Sequence, residues 1–321
     1  YYGSTPYSII EFDYSNNEVR KLSTVNGLSE VGISAIVANQ SQQSLLIAYS
    51  SSNIDLIKGE SVINISSILN SSIIGDKTVY NLYSHSKYVY VCLGFGIVVV
   101  DIEKEEIKDT YIIGDNSSQE AVLDIHISQN YIYALTNEEI KMAPLNSSFL
   151  SDASIWNTLN IPTGSSINNL ESFQDDFFAF GSTNIIYKYQ NNNWDTILFY
   201  PNETLRNFKV DDQNLITCTN SYVTVYSSNL DTLDFFYAYN GNPGITANDV
   251  IYGNGYYWIA DDSKGLRRLK NNFSLNNSLK SFQCFSKPIL TLSNNFSPSD
   301  IKVFISLIFF SLIFLDNKLT E

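Results

Sequence analysis

The sequence is 321 residues long and 44% hydrophobic, holds 22 Tyr and 19 Phe against one Met, and carries a net charge of −14. Aromatic and β-branched residues suit half-buried pleated surfaces, so the composition points to an all-β chain, and the length permits one large repeat-built domain. The charge excludes a nucleic-acid binder, which needs clustered Lys and Arg to displace phosphate counterions, and sets the chain against anionic membrane surfaces.

The chain opens on two strand-like segments, YSIIEFD (7–13) and EVRKLS (18–23), with neither an initiator Met nor a signal peptide, which reads as a start inside a domain. From there a phrase recurs six times, an apolar or Thr residue followed by a small one: Ile47-Ala48, Val91-Cys92, Tyr133-Ala134, Phe178-Ala179, Thr217-Cys218 and Ile259-Ala260. The small residues are spaced 44, 42, 45, 39 and 42 apart, and six positions after each comes Ile54, Val98, Ile140, Ile185, Thr224 or Leu266. A period near 42 is the length of one four-stranded propeller blade. The third unit shows the four strands as AVLDIHIS, NYIYALT, EIKMAPL and IWNTLNI, with Asn, Ser, Asp and Gly in the connections. The second has a charged hairpin tip at Glu103-Lys104-Glu105, and the sixth supplies only NDVIYG, YYWIAD and GLRRLK. Six units and the opening partial one predict a seven-bladed β-propeller, four antiparallel strands per blade and incomplete at both ends, over residues 1–270.

After Lys270 alternation and turn spacing stop. Residues 271–321 carry three acidic and four basic residues against a net −15 before them, and contain the apolar run 301–315. Its uncharged part spans about 20 Å as a helix, short of a bilayer crossing. The segment reads as a frameshifted, artificial or disordered tail, with a membrane anchor as the alternative.

Chemistry is sparse. Cys92, Cys218 and Cys284 have no metal-like spacing, and the first two occupy the small-residue position of the repeat, which assigns them to packing. The two histidines, His85 and His126, fall near turns at the ends of first strands and read as solvated turn residues. Gly94-Phe95-Gly96 reads as a hairpin turn rather than a dinucleotide loop. Asp175-Asp176, Asp211-Asp212 and Asp261-Asp262 read as turn-forming pairs, not as the spaced carboxylates of a glycosidase. Nine Asn-Xaa-Ser/Thr sequons, at Asn39, Asn64, Asn70, Asn116, Asn146, Asn202, Asn272, Asn276 and Asn295, are expected by chance in so Asn- and Ser-rich a chain. Tyr256, Tyr257 and Trp258 offer rings for sugar stacking, although alternation predicts at least half of them in the core. No catalytic, cofactor-binding or metal-ligating residue is assigned, no cofactor is expected, and the ligand-binding residues stay open.

The stretch Gly255 to Arg268, with Trp258-Ile259-Ala260-Asp261 and Gly265-Leu266, resembles the two-component regulator propeller repeat of Bacteroidetes, as does Asn26-Gly27-Leu28-Ser29. Ala260-Asp261 departs from the Gly-Thr of that pattern. Residues 25–65 and 77–115 are similar to the amino-terminal propeller of the PorZ family of the type IX secretion system, more loosely so up to Lys270. That resemblance implies an exported, non-enzymatic, cell-surface protein at the outer membrane. It further implies a PorU-like sortase, PorV-like and PorQ-like attachment-complex proteins and anionic lipopolysaccharide as partners, with lipopolysaccharide delivered to the sortase for cargo anchoring. Two other readings stay open. The periplasmic sensor propeller of a hybrid two-component regulator predicts a kinase downstream, and a propeller glycosidase or lyase needs convergent acids.

Overall fold

Strands dominate because apolar and aromatic residues alternate over five to seven positions between turns rich in Asn, Ser and Asp. The structure, a computed structural model, describes residues 1–270 and 282–284, apart from residues 14, 129, 163–164, 174–175, 182, 211–213, 238–246, 254 and 262–264. The chain divides into two units, Tyr1–Asn202 and Glu203–Glu321.

The first unit holds five antiparallel meanders. Strands β1 (Tyr2–Thr5), β2 (Ser8–Asp13) and β3 (Glu18–Leu22) form a three-stranded sheet. Next come β4 (Ile33–Asn39), β5 (Ser44–Tyr49), β6 (Ile54–Lys58) and β7 (Ser61–Ile65), then β8 (Val79–His85), β9 (Tyr88–Leu93), β10 (Gly96–Asp101) and β11 (Glu106–Tyr111). The last two sheets are β12 (Asp124–Ser128), β13 (Tyr131–Leu135), β14 (Glu139–Pro144) and β15 (Asn157–Asn160), and β16 (Ile167–Phe173), β17 (Asp176–Gly181), β18 (Ile185–Gln190) and β19 (Asn193–Phe199).

The second unit holds two such sheets. One is β20 (Leu205–Val210), β21 (Leu215–Thr219), β22 (Tyr222–Tyr226) and β23 (Thr232–Tyr237). The other is β24 (Ala247–Gly253), β25 (Tyr256–Asp261), β26 (Gly265–Lys270) and β27 (Phe282–Cys284).

Two strand counts differ from expectation. The opening sheet has three strands rather than two, because Tyr2–Thr5 pairs with Ser8–Glu11. The Thr5 hydroxyl accepts the N–H groups of Tyr7 (3.2 Å) and Ser8 (3.0 Å) and closes the turn through Pro6, a feature that leaves no apolar alternation to read. The last sheet gains β27 beyond Lys270, paired with Arg267–Leu269. A three-residue strand is too short to show a period. Among the described residues no helix is long and apolar enough to cross a membrane, and the run 301–315 lies outside them.

The core lies between sheets rather than within one. Leu46, Ile54 and Leu56 of one sheet pack on Leu82, Val91 and Val98 of the next, and Tyr90, Ile97 and Val99 pack in turn on Ile125, Ile132 and Trp156. In the second unit Ile216, Val223 and Phe236 meet Val250, Tyr257 and Ile259. Strands covered on both faces read as continuous apolar runs: every residue of β5, β10 and β21 is buried. Each fully buried Val, Leu or Ile contributes about 1.5–3 kcal/mol relative to exposure.

Hairpin geometry follows from side chains that bond their own turns. Asp101 Oδ1 accepts the N–H groups of Glu103 (3.0 Å) and Lys104 (3.1 Å), which leaves the charged tip expected there, with Glu105 at φ +62°.

Candidate functional site

Position along the first strands is set by a recurring irregularity. In β4, β8, β16, β20 and β24 the pairing with the second strand skips one residue, namely Ser34, Tyr80, Asn168, Arg206 and Asn248. A bulge of this kind bends the strand and re-aims the extra side chain. Ser34, Tyr80, Asn168 and Arg206 are exposed.

The residue after the bulge is Asn or Asp in four of these strands, and Asp124 holds the same register in β12. In three of these strands its side-chain oxygen accepts the N–H of the following residue: Leu82 N donates to Asn81 (2.8 Å), Ile125 N to Asp124 (2.9 Å) and Val250 N to Asp249 (2.9 Å). A strand at a sheet edge leaves alternate N–H groups outside the ladder, and the Asn or Asp satisfies one of them locally.

The same side chains also reach the next sheet. Asn81 Nδ2 donates to Asp124 Oδ1 at 2.7 Å, and Leu170 N donates to Asp124 Oδ2 at 2.9 Å, so one buried carboxylate ties β8, β12 and β16 together. In the second unit Asn207 Nδ2 donates to Asp249 Oδ1 at 2.9 Å. The sequence carries this ladder in plain view as Asn81-Leu82, Asp124-Ile125, Asn169-Leu170, Asn207-Phe208 and Asp249-Val250.

The small-residue phrase needs a correction of register. Cys92, Cys218 and Ala260 stand opposite Asn81, Asn207 and Asp249, where a small side chain leaves room for the polar rung, and Ala48 stands opposite Ala35. In the two intervening sheets Leu135 and Phe180 take that place, and Ala134 and Ala179 sit one residue earlier, opposite Ile125 and Leu170. Ala134 and Ala179 are fully buried in these positions, so an alanine is accommodated at either parity. Burial pushes the thiols of Cys92 and Cys218 well above the ordinary range, as suits packing groups.

His126 is not a solvated turn residue. It is 5% exposed in mid-strand, with Nε2 2.8 Å from Ser172 Oγ and the ring edge-on to Tyr83. Burial pulls its pKa down to about 4 and raises that of Tyr83 to about 12. Glu171 Oε2 stands 4.0 Å from Nδ1, too far for the hydrogen bond that orients a catalytic imidazole. His85 is exposed at the end of β8.

Other candidates serve the fold. Asp176 pairs with Lys188 at 2.7 Å, while Asp175, Asp211, Asp212 and Asp262 lie outside the described residues. Tyr257 and Trp258 are buried, which removes both as sugar platforms, and Tyr256 stacks under the Arg268 guanidinium at 4.4 Å. The Asn39 amide is buried and donates to Ser84 Oγ and the Ser86 carbonyl, so that sequon is not open to modification, whereas Asn64 is exposed although its amide donates to Asp55. Asn70, Asn116, Asn146 and Asn202 are exposed. Among the described residues no group of three His, Cys, Asp or Glu is placed to hold a metal ion.

The Gly-Leu-Ser motif has a structural task as well. Gly27 turns the chain at φ +123°, Leu28 enters the core beside Ile47 and Ile57, and Ser29 clamps the fully buried Asp55. Asp55 accepts Ser29 N (2.7 Å), Ser29 Oγ (2.6 Å), Asn64 Nδ2 (2.9 Å) and the Tyr49 hydroxyl (2.5 Å).

Residues 4–157 match the model of the type IX secretion system PorZ N-terminal β-propeller domain. Over that stretch the chain is PorZ-like. The match runs from β1 into the start of β15. No curated protein matches the sequence. Among solved structures, PorZ of Porphyromonas gingivalis, an essential surface component of its type IX secretion system, is similar at 20% identity and a TM-score of 0.69. That alignment covers 89% of this chain and 38% of PorZ. The extracellular domain of a putative hybrid two-component system from B. thetaiotaomicron is similar at 14% identity and a TM-score of 0.59, over 81% of this chain and 38% of that one. The WD40 β-propeller of Doa1 follows at 15% identity and 0.55, covering 79% and 82% of the two chains. The chain thus spans well under half of the first two. At these identities the likenesses establish the fold: the seven sheets are the blades of a β-propeller.

Proposed function

We propose that this chain is the non-catalytic propeller module of a PorZ-like component of the type IX secretion attachment complex. In this reading the protein is exported to the outer-membrane surface. There it works with a PorU-like sortase and with PorV-like and PorQ-like proteins, and assists delivery of anionic lipopolysaccharide to the sortase for cargo anchoring. Residues 1–270, completed by β27 (Phe282–Cys284), form the module, and the remainder of 271–321 is a separate tail. The match of residues 4–157 to the PorZ amino-terminal domain carries the reading. The assignment of the His, Cys and carboxylate groups described above to packing and hydrogen bonding supports a module that presents surfaces rather than performs chemistry.

The test is deletion of the gene in its native host together with affinity purification of the tagged protein. Secreted cargo released into the medium instead of held on the cell surface, and a sortase co-purifying with the tag, are the expected results. Cargo anchoring unchanged by the deletion overturns the proposal. The likeness to the two-component extracellular domain favours a second reading, a periplasmic glycan sensor, which predicts an inner-membrane kinase on the same polypeptide.

A further inference from the structure

The loop entering β8 and the bulge in that strand build an exposed cluster that the polar ladder does not use. Tyr80, the bulge residue, is 42% exposed. Asp76 Oδ1 accepts the Thr78 hydroxyl (2.6 Å) and the Thr78 N–H (2.9 Å). These bonds, with a further one to Tyr80, hold the Asp76 carboxyl below the usual range and ionised at neutral pH. Gly94 gives the carboxylate its place, since a Cβ there would stand 2.5 Å from Asp76 Cγ.

The connection between β11 and β12 fixes the other side of the loop. Gln119 Nε2 donates to the Ile74 carbonyl at 2.8 Å, and its amide oxygen lies in the space that a side chain on Gly75 would fill. Ile74 itself is 92% exposed. Two glycines, an Asp-centred turn and an amide from the β11–β12 connection thus set an exposed aromatic ring, carboxylate and amide around one loop.

We propose that Tyr80, Asp76 and Gln119 form a subsite for one residue of a neutral oligosaccharide. A pyranose offers a C–H face to an aromatic ring and hydroxyls around its rim. An ionised carboxylate accepts from two of those hydroxyls, and an amide both donates and accepts. Anionic sugars are disfavoured, because Asp76 repels them and the neighbouring Lys77 turns away to the carbonyls of Leu69 (3.2 Å) and Ser71 (2.9 Å). Within the glycolipid role proposed above, the subsite holds an uncharged sugar residue of the lipopolysaccharide and not its anionic groups. It rests on that reading for its physiological ligand, but not for binding of a plain sugar.

The experiment is calorimetric titration of the 321-residue chain with cellohexaose, maltohexaose and mannohexaose. The expected result is saturable binding of at least one, weakened about tenfold or more by Tyr80→Ala and by Asp76→Asn, and within about threefold of wild type for Tyr80→Phe, which keeps the ring. Phe149→Ala, at an exposed position outside the cluster, leaves the affinity unchanged. No binding of any hexasaccharide, or wild-type affinity in Tyr80→Ala, overturns the proposal. If Tyr80→Ala fails to fold, Tyr80→Phe decides, and loss of binding there overturns it. Hexasaccharide binding that persists while cargo anchoring proves independent of the gene refutes the proposed function alone, and the converse refutes the subsite alone.

Discussion

Asn81 and Asp124, 43 positions apart in sequence, meet across two sheets through a 2.7 Å amide to carboxylate hydrogen bond. Asp124 is 4% exposed and also receives the N–H groups of Ile125 and Leu170. Asp124→Leu leaves three donors without their acceptor in the interior. Each orphaned donor costs about 1–3 kcal/mol, and relaxation recovers part of the sum, so a loss of roughly 3–5 kcal/mol is expected. Asp124→Asn keeps an acceptor toward one neighbour and costs about half as much. Urea unfolding of both variants checks the order.

His126 gives the fold a pH dependence of known sign. Its folded pKa, about 4, lies below the ordinary value of 6.5 because burial disfavours the imidazolium. The unfolded chain therefore binds the extra proton between these two values, and stability falls as pH drops from about 6.5 toward 4, by roughly 3 kcal/mol at most. Below that window both states are protonated and this contribution stays lost. Ser172 and Glu171 lie beside the ring from β16, and Tyr83 from β8. His126→Gln flattens the profile between pH 4 and 6.5, measured by denaturant midpoints across that range, while leaving the more acidic limb of the carboxylates in place.

How far the sequence reaches is visible in these two cases. The repeat spacing identified the sheets because each one must bury the same faces against its neighbours, and burial leaves a periodic mark. The Asn-Leu and Asp-Ile pairs leave an equally periodic mark, but a bulge in five of the first strands shifts the apparent alternation, so the rungs are not separable from turn residues in the sequence. His126 differs from expectation for another reason, since β12 carries no bulge. It stands two residues from the end of β12, and proximity to a turn says nothing about the sheet packed over it. The Tyr80 cluster depends on Gly75 and Gly94 as missing side chains, which become meaningful only when the opposing atoms are in place.

Ser29 and Asp55 supply a local test of the Gly-Leu-Ser motif. Ser29→Ala removes the 2.6 Å hydroxyl bond but keeps the backbone bond of 2.7 Å, and a hydrogen bond to a charged group contributes about 1.5–3 kcal/mol. Asp55→Ala additionally strands the Ser29 N–H and the Tyr49 hydroxyl, while the Asn64 amide keeps Asn53 Oδ1 and the Ile54 carbonyl, and it is expected to cost more than Ser29→Ala by about 1 kcal/mol or more on the same scale. Thermal unfolding of the two variants and of their double mutant separates the shared interaction. A double mutant no worse than Asp55→Ala alone is the expected outcome, because the clamp acts as a unit.

Cys92 and Cys218 are expected to be inert in the folded chain. Both are buried, and burial raises both thiols, so the reactive thiolate is scarce and shielded. Reaction with a thiol-specific chromophore in the native state should proceed no faster than unfolding and become immediate in denaturant. The neighbourhood also sets what each site accepts. Cys92 lies opposite Asn81, whose amide must reach Asp124, so Cys92→Ala is tolerated within about 1.5 kcal/mol. Cys92→Leu crowds the rung and is expected to cost more, typically 1–3 kcal/mol by overpacking alone. Double mutants with Asn81→Ala locate the source of that cost. If the penalty of Cys92→Leu shrinks when the Asn81 side chain is removed, the small residue is there for the ladder, whereas an unchanged penalty places the strain in the apolar contacts with the next sheet.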